Sequence, residues 1–270
     1  MRGNMSALMP ERDANADKFA CGRALLVCGS ELYPGAPFFA AQAAVNSGCG
    51  LTYLSVPECA YTAVFAKLCE PVYTPRADVI KRLSGCDAVL IGPGLGREFD
   101  VSELVESSVV ATVLDADALT CVSRDMSLLK NAHSPLILTP HEGEFSRLCP
   151  SFDGSNREDA ARAFAHKYGC VLVLKGANTV VAAPNEPIYV NTTGNAGMAC
   201  GGSGDVLAGI IVSLAAQGLS PFNAARLGVF VHGLAGDMAQ SVHGTLGMTP
   251  TDTLFYIKKA LSVLENDEQI

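Results

Sequence analysis

The chain has 270 residues, 49% of them hydrophobic and 17% charged, with a formal net charge of −8. This length and apolar fraction suit one large α/β core, and an acidic chain without a basic run lacks the clustered positive face that nucleic-acid binding needs. An anionic ligand is still compatible with that sign, because local donors outweigh net charge at a site.

Residues 1–17 are polar and contain no apolar h-region, which predicts no secretory signal. Short apolar runs then alternate with helical stretches. In chain order, the pattern predicts a strand at 24–28, a helix at 36–47, a strand at 51–56 and a helix at 59–68. It continues with a strand at 87–91, a helix at 98–107, strands at 109–114 and 135–139, and helices at 141–149 and 157–168. Continuous apolar strands separated by helices imply a parallel sheet covered on both faces. The rhythm changes after a strand at 171–174: Lys175-Gly176-Ala177-Asn178 reads as a hairpin turn into a strand at 179–183, and a short run follows at 188–190. Helices at 203–217, 221–242 and 249–265 complete the chain. The longest apolar run, 206–219, has the length of a buried core helix and is too short to cross a bilayer. Ten cysteines without a CxxC pair argue against zinc and for reduced thiols in a cytoplasm. No linker or repeat interrupts 1–270, so one domain is expected.

The most informative stretch is Gly194-Asn195-Ala196-Gly197-Met198-Ala199-Cys200-Gly201-Gly202-Ser203-Gly204-Asp205, which runs directly into an apolar helix. Glycines let backbone N–H groups turn toward one point, and a helix N-terminus adds unpaired donors and a positive dipole end. An anion hole with Asp205 at its lip suits phosphoryl chemistry on a hydroxyl: donors hold the charge and the carboxylate takes the proton. The loop is not a P-loop, because no lysine follows it. It is not a dinucleotide fingerprint either, because Gly202-Ser203-Gly204 fails at Leu207 and Gly92-Pro93-Gly94-Leu95-Gly96 fails at Arg97. A glycine-rich helix start with Asp205 as an ordinary first-turn acid is the plainer alternative.

Ligands of a parallel sheet bind at the carboxyl ends of its strands, and several unusual turns fall there. In Thr139-Pro140-His141-Glu142-Gly143-Glu144, Thr139 is expected to be the N-cap, Pro140 the first helical residue and Glu142 the partner in a capping box, leaving His141 and Glu144 for function. The Gly92–Gly96 turn serves either backbone geometry or close approach to a ligand. Asp115 and Asp117 read either as helix caps or as carboxylates near substrate or magnesium. Lys175 reads either as a solvated charge or as a nucleotide-phosphate contact. His232 and His243 lack metal-ligand spacing and read as structural or surface residues.

Together these motifs, with Asp17-Lys18-Phe19-Ala20-Cys21-Gly22-Arg23, Gly29-Ser30 and Tyr33-Pro34-Gly35-Ala36, resemble the ADP-dependent NAD(P)H-hydrate dehydratases. The resemblance covers nearly the whole chain. It implies a ribokinase-like three-layer α/β/α sandwich with a mostly parallel sheet and a C-terminal hairpin extension. It also implies dehydration of the S-epimer of hydrated NADH or NADPH, with ADP as phosphoryl-donor cosubstrate and Mg2+ as cofactor. Asp205 would be the base. Ala36, Gly94, Gly96, His141 and Asn195 would contact the substrate together with it. Lys175, Gly176, Ala177, Asn178, Thr179, Gly201, Gly202, Ser203 and Gly204 would bind the nucleotide, and Glu144 would serve magnesium through water. A cytoplasmic homo-oligomer, a tetramer, is implied as well, with no membrane partner and no fused epimerase domain. Pro37, Cys200 and Ser203 depart from the family pattern; Ser203 stands where threonine is usual. A ribokinase-like ATP-dependent kinase of a small hydroxylated metabolite, such as hydroxymethylpyrimidine, is the alternative enzyme, and a nucleotide sensor the alternative without catalysis.

Overall fold

The computed structural model describes residues 5–266. Its first half alternates strands and helices. β1 (Arg23–Val27), α1 (Gly35–Asn46), β2 (Leu51–Ser55), α2 (Glu58–Phe65), β3 (Val72–Tyr73) and α3 (Val79–Leu83) come first. They are followed by β4 (Ala88–Ile91), α4 (Ser102–Ser107), β5 (Ala111–Leu114), α5 (Asp117–Arg124), α6 (Leu128–Asn131), β6 (Leu136–Leu138), α7 (Glu142–Leu148) and α8 (Arg157–Tyr168). Then come β7 (Val171–Leu174), β8 (Val180–Ala182), β9 (Tyr189–Val190), α9 (Ser203–Ala216), α10 (Pro221–Gly247) and α11 (Pro250–Glu265).

The strands form one sheet in the order β3-β2-β1-β4-β5-β6-β7-β8-β9. β1 to β7 run parallel, and β8 and β9 add antiparallel through the expected hairpin. Side chains alternate across this sheet. Ala24, Leu26, Leu90, Val113, Ile137 and Val173 face α1, α2, α9, α10 and α11. Leu25, Val27, Ile91, Leu114, Leu138 and Leu174 face α3 to α8. Both faces are therefore apolar, as a buried parallel sheet requires, and the result is the expected three-layer sandwich. Order reverses between β1 and β4, since chain progress runs outward on either side of that pair. Such a reversal opens a crevice beyond the carboxyl ends of the two strands.

The helix that carries the anion loop is fixed by close backbone approach. Gly209 of α9 faces α1, where a Cβ would overlap the Ala40 carbonyl. Several elements escape the sequence pattern: β3, α3 and α6 span only two to five residues each, too few for a period to emerge, and α5 (eight residues) is missed as well. The helix expected from 98 begins at Ser102, because Asp100 holds the Ser102 N–H and hydroxyl just before it. α10 continues to Gly247 across a kink at Gly244. Among the described residues, no helix is long and apolar enough to cross a membrane, and all ten cysteines are free.

Candidate active site

Parallel register delivers the ends of β1, β4, β5, β6 and β7 to one rim, so Gly29, Gly92, Asp115, Thr139 and Lys175 follow their strands onto the same edge. Gly92 sits at φ +137°, and a Cβ there would overlap the Asp115 carbonyl. Gly94 packs against the start of α1, where a Cβ would stand 2.9 Å from that of Ala36 and 2.8 Å from that of Tyr33. Gly96 donates its N–H to Asp117 Oδ2 at 2.8 Å. Asp117 therefore anchors the glycine turn, and no side chain caps α5.

Lys175 is not a surface charge. Its side chain is 17% exposed, and Nζ lies 2.8 Å from Asp115 Oδ1 and 4.0 Å from Glu144 Oε2. Thr139 Oγ1 donates to the same Asp115 oxygen at 2.9 Å. A Cβ on Gly204 would stand 3.2 Å from Lys175 Nζ, so the ammonium reaches the N-terminus of α9 from another strand. Burial opposes the Lys175 charge, but Asp115 and Glu144 outweigh it and raise its pKa.

The glycine-rich stretch forms the expected helix start. Gly202 is the N-cap of α9 at φ +101°, packed against the Phe39 ring; Gly201 borders open space; Asp205 lies in the first turn. Burial, then the charge of Asp115, pushes the Asp205 carboxyl up to about 7, against the opposing pull of Lys175. Gly194 N and Asn195 Nδ2 both donate to Asp237 on α10 at 2.9 Å, and Asn195 Oδ1 accepts from Gly197 N at 3.0 Å. Asn195 thus ties the loop down from behind. The turn Gly176-Ala177-Asn178-Thr179 is held by Arg157, whose guanidinium donates to the carbonyls of Leu174, Lys175 and Ala177 at 2.9, 3.1 and 2.7 Å.

One expectation is corrected. Thr139 is not the N-cap of α7. That position belongs to His141, whose Nδ1 accepts from Glu144 N at 3.3 Å while Glu144 Oε2 accepts from His141 N at 2.9 Å. The capping box thus uses the two residues reserved for function, and Thr139, buried beside Asp115, is drawn into the charged cluster instead. Glu142 meets Arg157 at 3.2 Å. The His141 side chain remains 57% exposed on the rim. His232, expected to be structural or superficial, lies 3.3 Å from Ser203 Oγ in the anion loop. His243 pairs with Asp252 at 3.5 Å, between α10 and the start of α11.

Among the described residues no three His, Cys, Asp or Glu side chains form a metal cage. The site nonetheless carries three carboxyls (Asp115, Glu144, Asp205) that act on the Lys175 ammonium, with Asp117 acting on Asp205, and all four offer oxygen ligands. Such a set suits a hard divalent cation that keeps its waters and takes further oxygens from phosphate.

Known proteins of similar sequence and fold give the family. The sequence profile of the NAD(P)H-hydrate dehydratase family matches residues 24–259. The bifunctional NAD(P)H-hydrate repair enzyme Nnr of Moorella thermoacetica is 39% identical over 96% of this chain, which spans 53% of that protein. This chain therefore spans about half the length of the curated relatives it matches. The crystal structure of an ADP/ATP-dependent NAD(P)H-hydrate dehydratase from Bacillus subtilis, co-crystallised with ATP/Mg2+, superposes with TM-score 0.84 at 29% identity, covering 97% of this chain and 96% of that one. A ribokinase-like superfamily protein from Enterococcus faecalis superposes with TM-score 0.85 at 26% identity, covering 97% and 94%. By fold, motif order and similarity over nearly its whole length, this chain belongs to the NAD(P)H-hydrate dehydratase family, on a ribokinase-like fold.

Proposed function

We propose that this chain restores hydrated NADH or NADPH, taking the S-epimer and consuming ADP. The observation that carries the reading is the meeting of two distant segments: the glycine-rich start of α9, which carries the Asp205 carboxyl with its pKa near 7, and the Lys175 ammonium of the β7 end. An acid of that pKa is half-ionised at neutral pH and so can accept a proton from a hydroxyl and release it again.

The ring hydroxyl oxygen bonds to the terminal phosphorus of ADP, the bond to AMP breaks, and the proton passes to Asp205. The phosphoester then leaves as phosphate: its C–O bond breaks as the ring nitrogen's lone pair forms a C=N bond. Loss of a proton from the neighbouring ring carbon restores the dihydronicotinamide. In sum the ring loses water, and ADP becomes AMP and phosphate. The Gly201–Gly204 backbone and Lys175 Nζ hold the transferring group, and fixed donors of this kind need no rearrangement as charge develops. Gly176 to Thr179 border the nucleotide. Ala36, Gly94, Gly96 and His141 border the hydrated ring, with Asn195 fixing the adjoining loop. Mg2+, held through water by Glu144 and by phosphate oxygens, would neutralise phosphate charge.

The test is recovery of dihydronicotinamide absorbance from purified hydrated NADH with magnesium and ADP or ATP. Recovery with ADP and one AMP per turnover is expected. Folded protein that binds ADP, restores no cofactor and instead phosphorylates a small hydroxylated metabolite would mark a kinase.

A further inference from the structure

The chemistry above leaves one neighbour of the anion loop unused. His232, on α10, places Nε2 3.3 Å from Ser203 Oγ. Ser203 is the first residue of α9, between Gly202 and Gly204, and this is the one hydrogen bond its hydroxyl makes among the described residues. His232 is partly buried, and burial followed by the charge of Lys175 pushes its pKa down to about 4. The imidazole is therefore neutral at physiological pH, with one N–H and one lone pair.

A hydroxyl has a single proton. Were Nε2 the acceptor, that proton would be spent on the ring, and Ser203 would offer only lone pairs to a loop whose task is to hold negative oxygens. With Nε2–H donating, the ring occupies a lone pair and the hydroxyl proton is free to turn outward. The residue type sharpens the point. Threonine at such a position would restrict χ1 by its branched Cβ. Serine lacks that restraint, so its rotamer must be set from outside.

We propose that His232 is a positioning residue: its Nε2–H donates to Ser203 Oγ and aims the hydroxyl proton at the phosphoryl group carried by the loop. The inference rests on the phosphoryl-transfer reading. It makes His232 the external restraint on the Ser203 rotamer.

The test compares wild type, His232→Ala, His232→Gln, Ser203→Thr and the double variant Ser203→Thr/His232→Ala, each for ADP affinity by calorimetry and for turnover of hydrated NADH. Loss of one oriented donor lowers kcat by roughly tenfold in His232→Ala, with ADP affinity changed by less. His232→Gln, whose amide N–H can donate, recovers most of that loss, and the double variant recovers part through the threonine rotamer. The neutral ring predicts that the lower-pH limb of the rate profile stays in place in His232→Gln. Two outcomes overturn the proposal: wild-type turnover with a silent His232→Ala, or a loss that neither Gln nor Thr rescues and that tracks a lowered melting temperature. A wild type that binds ADP but restores no cofactor overturns the dehydratase reading and the positioning role with it.

Discussion

Replacing Asp205 by asparagine separates catalysis from stability, because the same burial that tunes the base also strains the fold. The carboxyl is pushed from 3.8 to about 7, chiefly by burial and by Asp115. That is about 3 pKa units, and at about 1.36 kcal/mol per unit the upper bound on the cost of ionising it in the folded protein is about 4 kcal/mol. Asp205 retains some solvent contact, so about 2 kcal/mol is the working figure. The sign follows from proton binding. Between pH 4 and 7 the folded state keeps a proton that the unfolded state has lost, so wild-type stability from this group falls as pH rises through that window and levels off above it. Asparagine is neutral throughout. Asp205→Asn is therefore expected to melt roughly 4–8 °C higher than wild type at pH 8, with the difference vanishing near pH 4. Turnover should fall by about 10²–10⁴, the share of a general base, while ADP binding survives. Calorimetric melts at pH 4, 6 and 8 and rates on hydrated NADH provide both readouts. A variant no more stable than wild type at pH 8 would refute the burial argument, and near-normal turnover would refute the assignment of Asp205 as base.

Three further expectations concern the scaffold. Wild-type kcat/KM for hydrate should rise with pH to a plateau above about 7, as the free-enzyme Asp205 ionises; a flat profile between pH 5 and 9 would remove the titrating base. Lys175→Met strands Asp115 in the interior and should cost about 3–5 kcal/mol, read by denaturant unfolding, with Asp115→Asn in the same chain restoring part of it; an unchanged midpoint would mean the pair is not formed. Gly204→Ala puts a Cβ 3.2 Å from Lys175 Nζ and should weaken ADP binding and turnover without lowering the melting temperature, since alanine favours the helix start; unaltered affinity and rate would argue that the loop does not cradle phosphate.

Features written in contiguous residues were legible. The alternation of apolar strands and helices specifies a parallel sheet because each element is built from local contacts of its own. The Gly201-Gly202-Ser203-Gly204-Asp205 run specifies a helix start rich in free donors, because the conformations it needs are set residue by residue. The short elements β3, α3 and α6 were not legible, since two to five residues carry no period.

Capping was misread for a related reason. Thr139, just before Pro140, and His141, just after it, can both cap a helix start, and propensity favours threonine. The choice went to His141 because Thr139 ends a buried strand beside Asp115, where its hydroxyl has a stronger partner. The contiguous pattern therefore specified the layers of this fold and the glycine-rich start of α9 that carries Asp205. What surrounds Asp205 was set by long-range packing. Lys175 meets Asp115 across 60 residues and His232 meets Ser203 across 29. Those meetings depend on strand order and register, which bring the ends of separate strands to one edge and α10 against α9. They leave no local trace, because no residue in between has to be of any particular type.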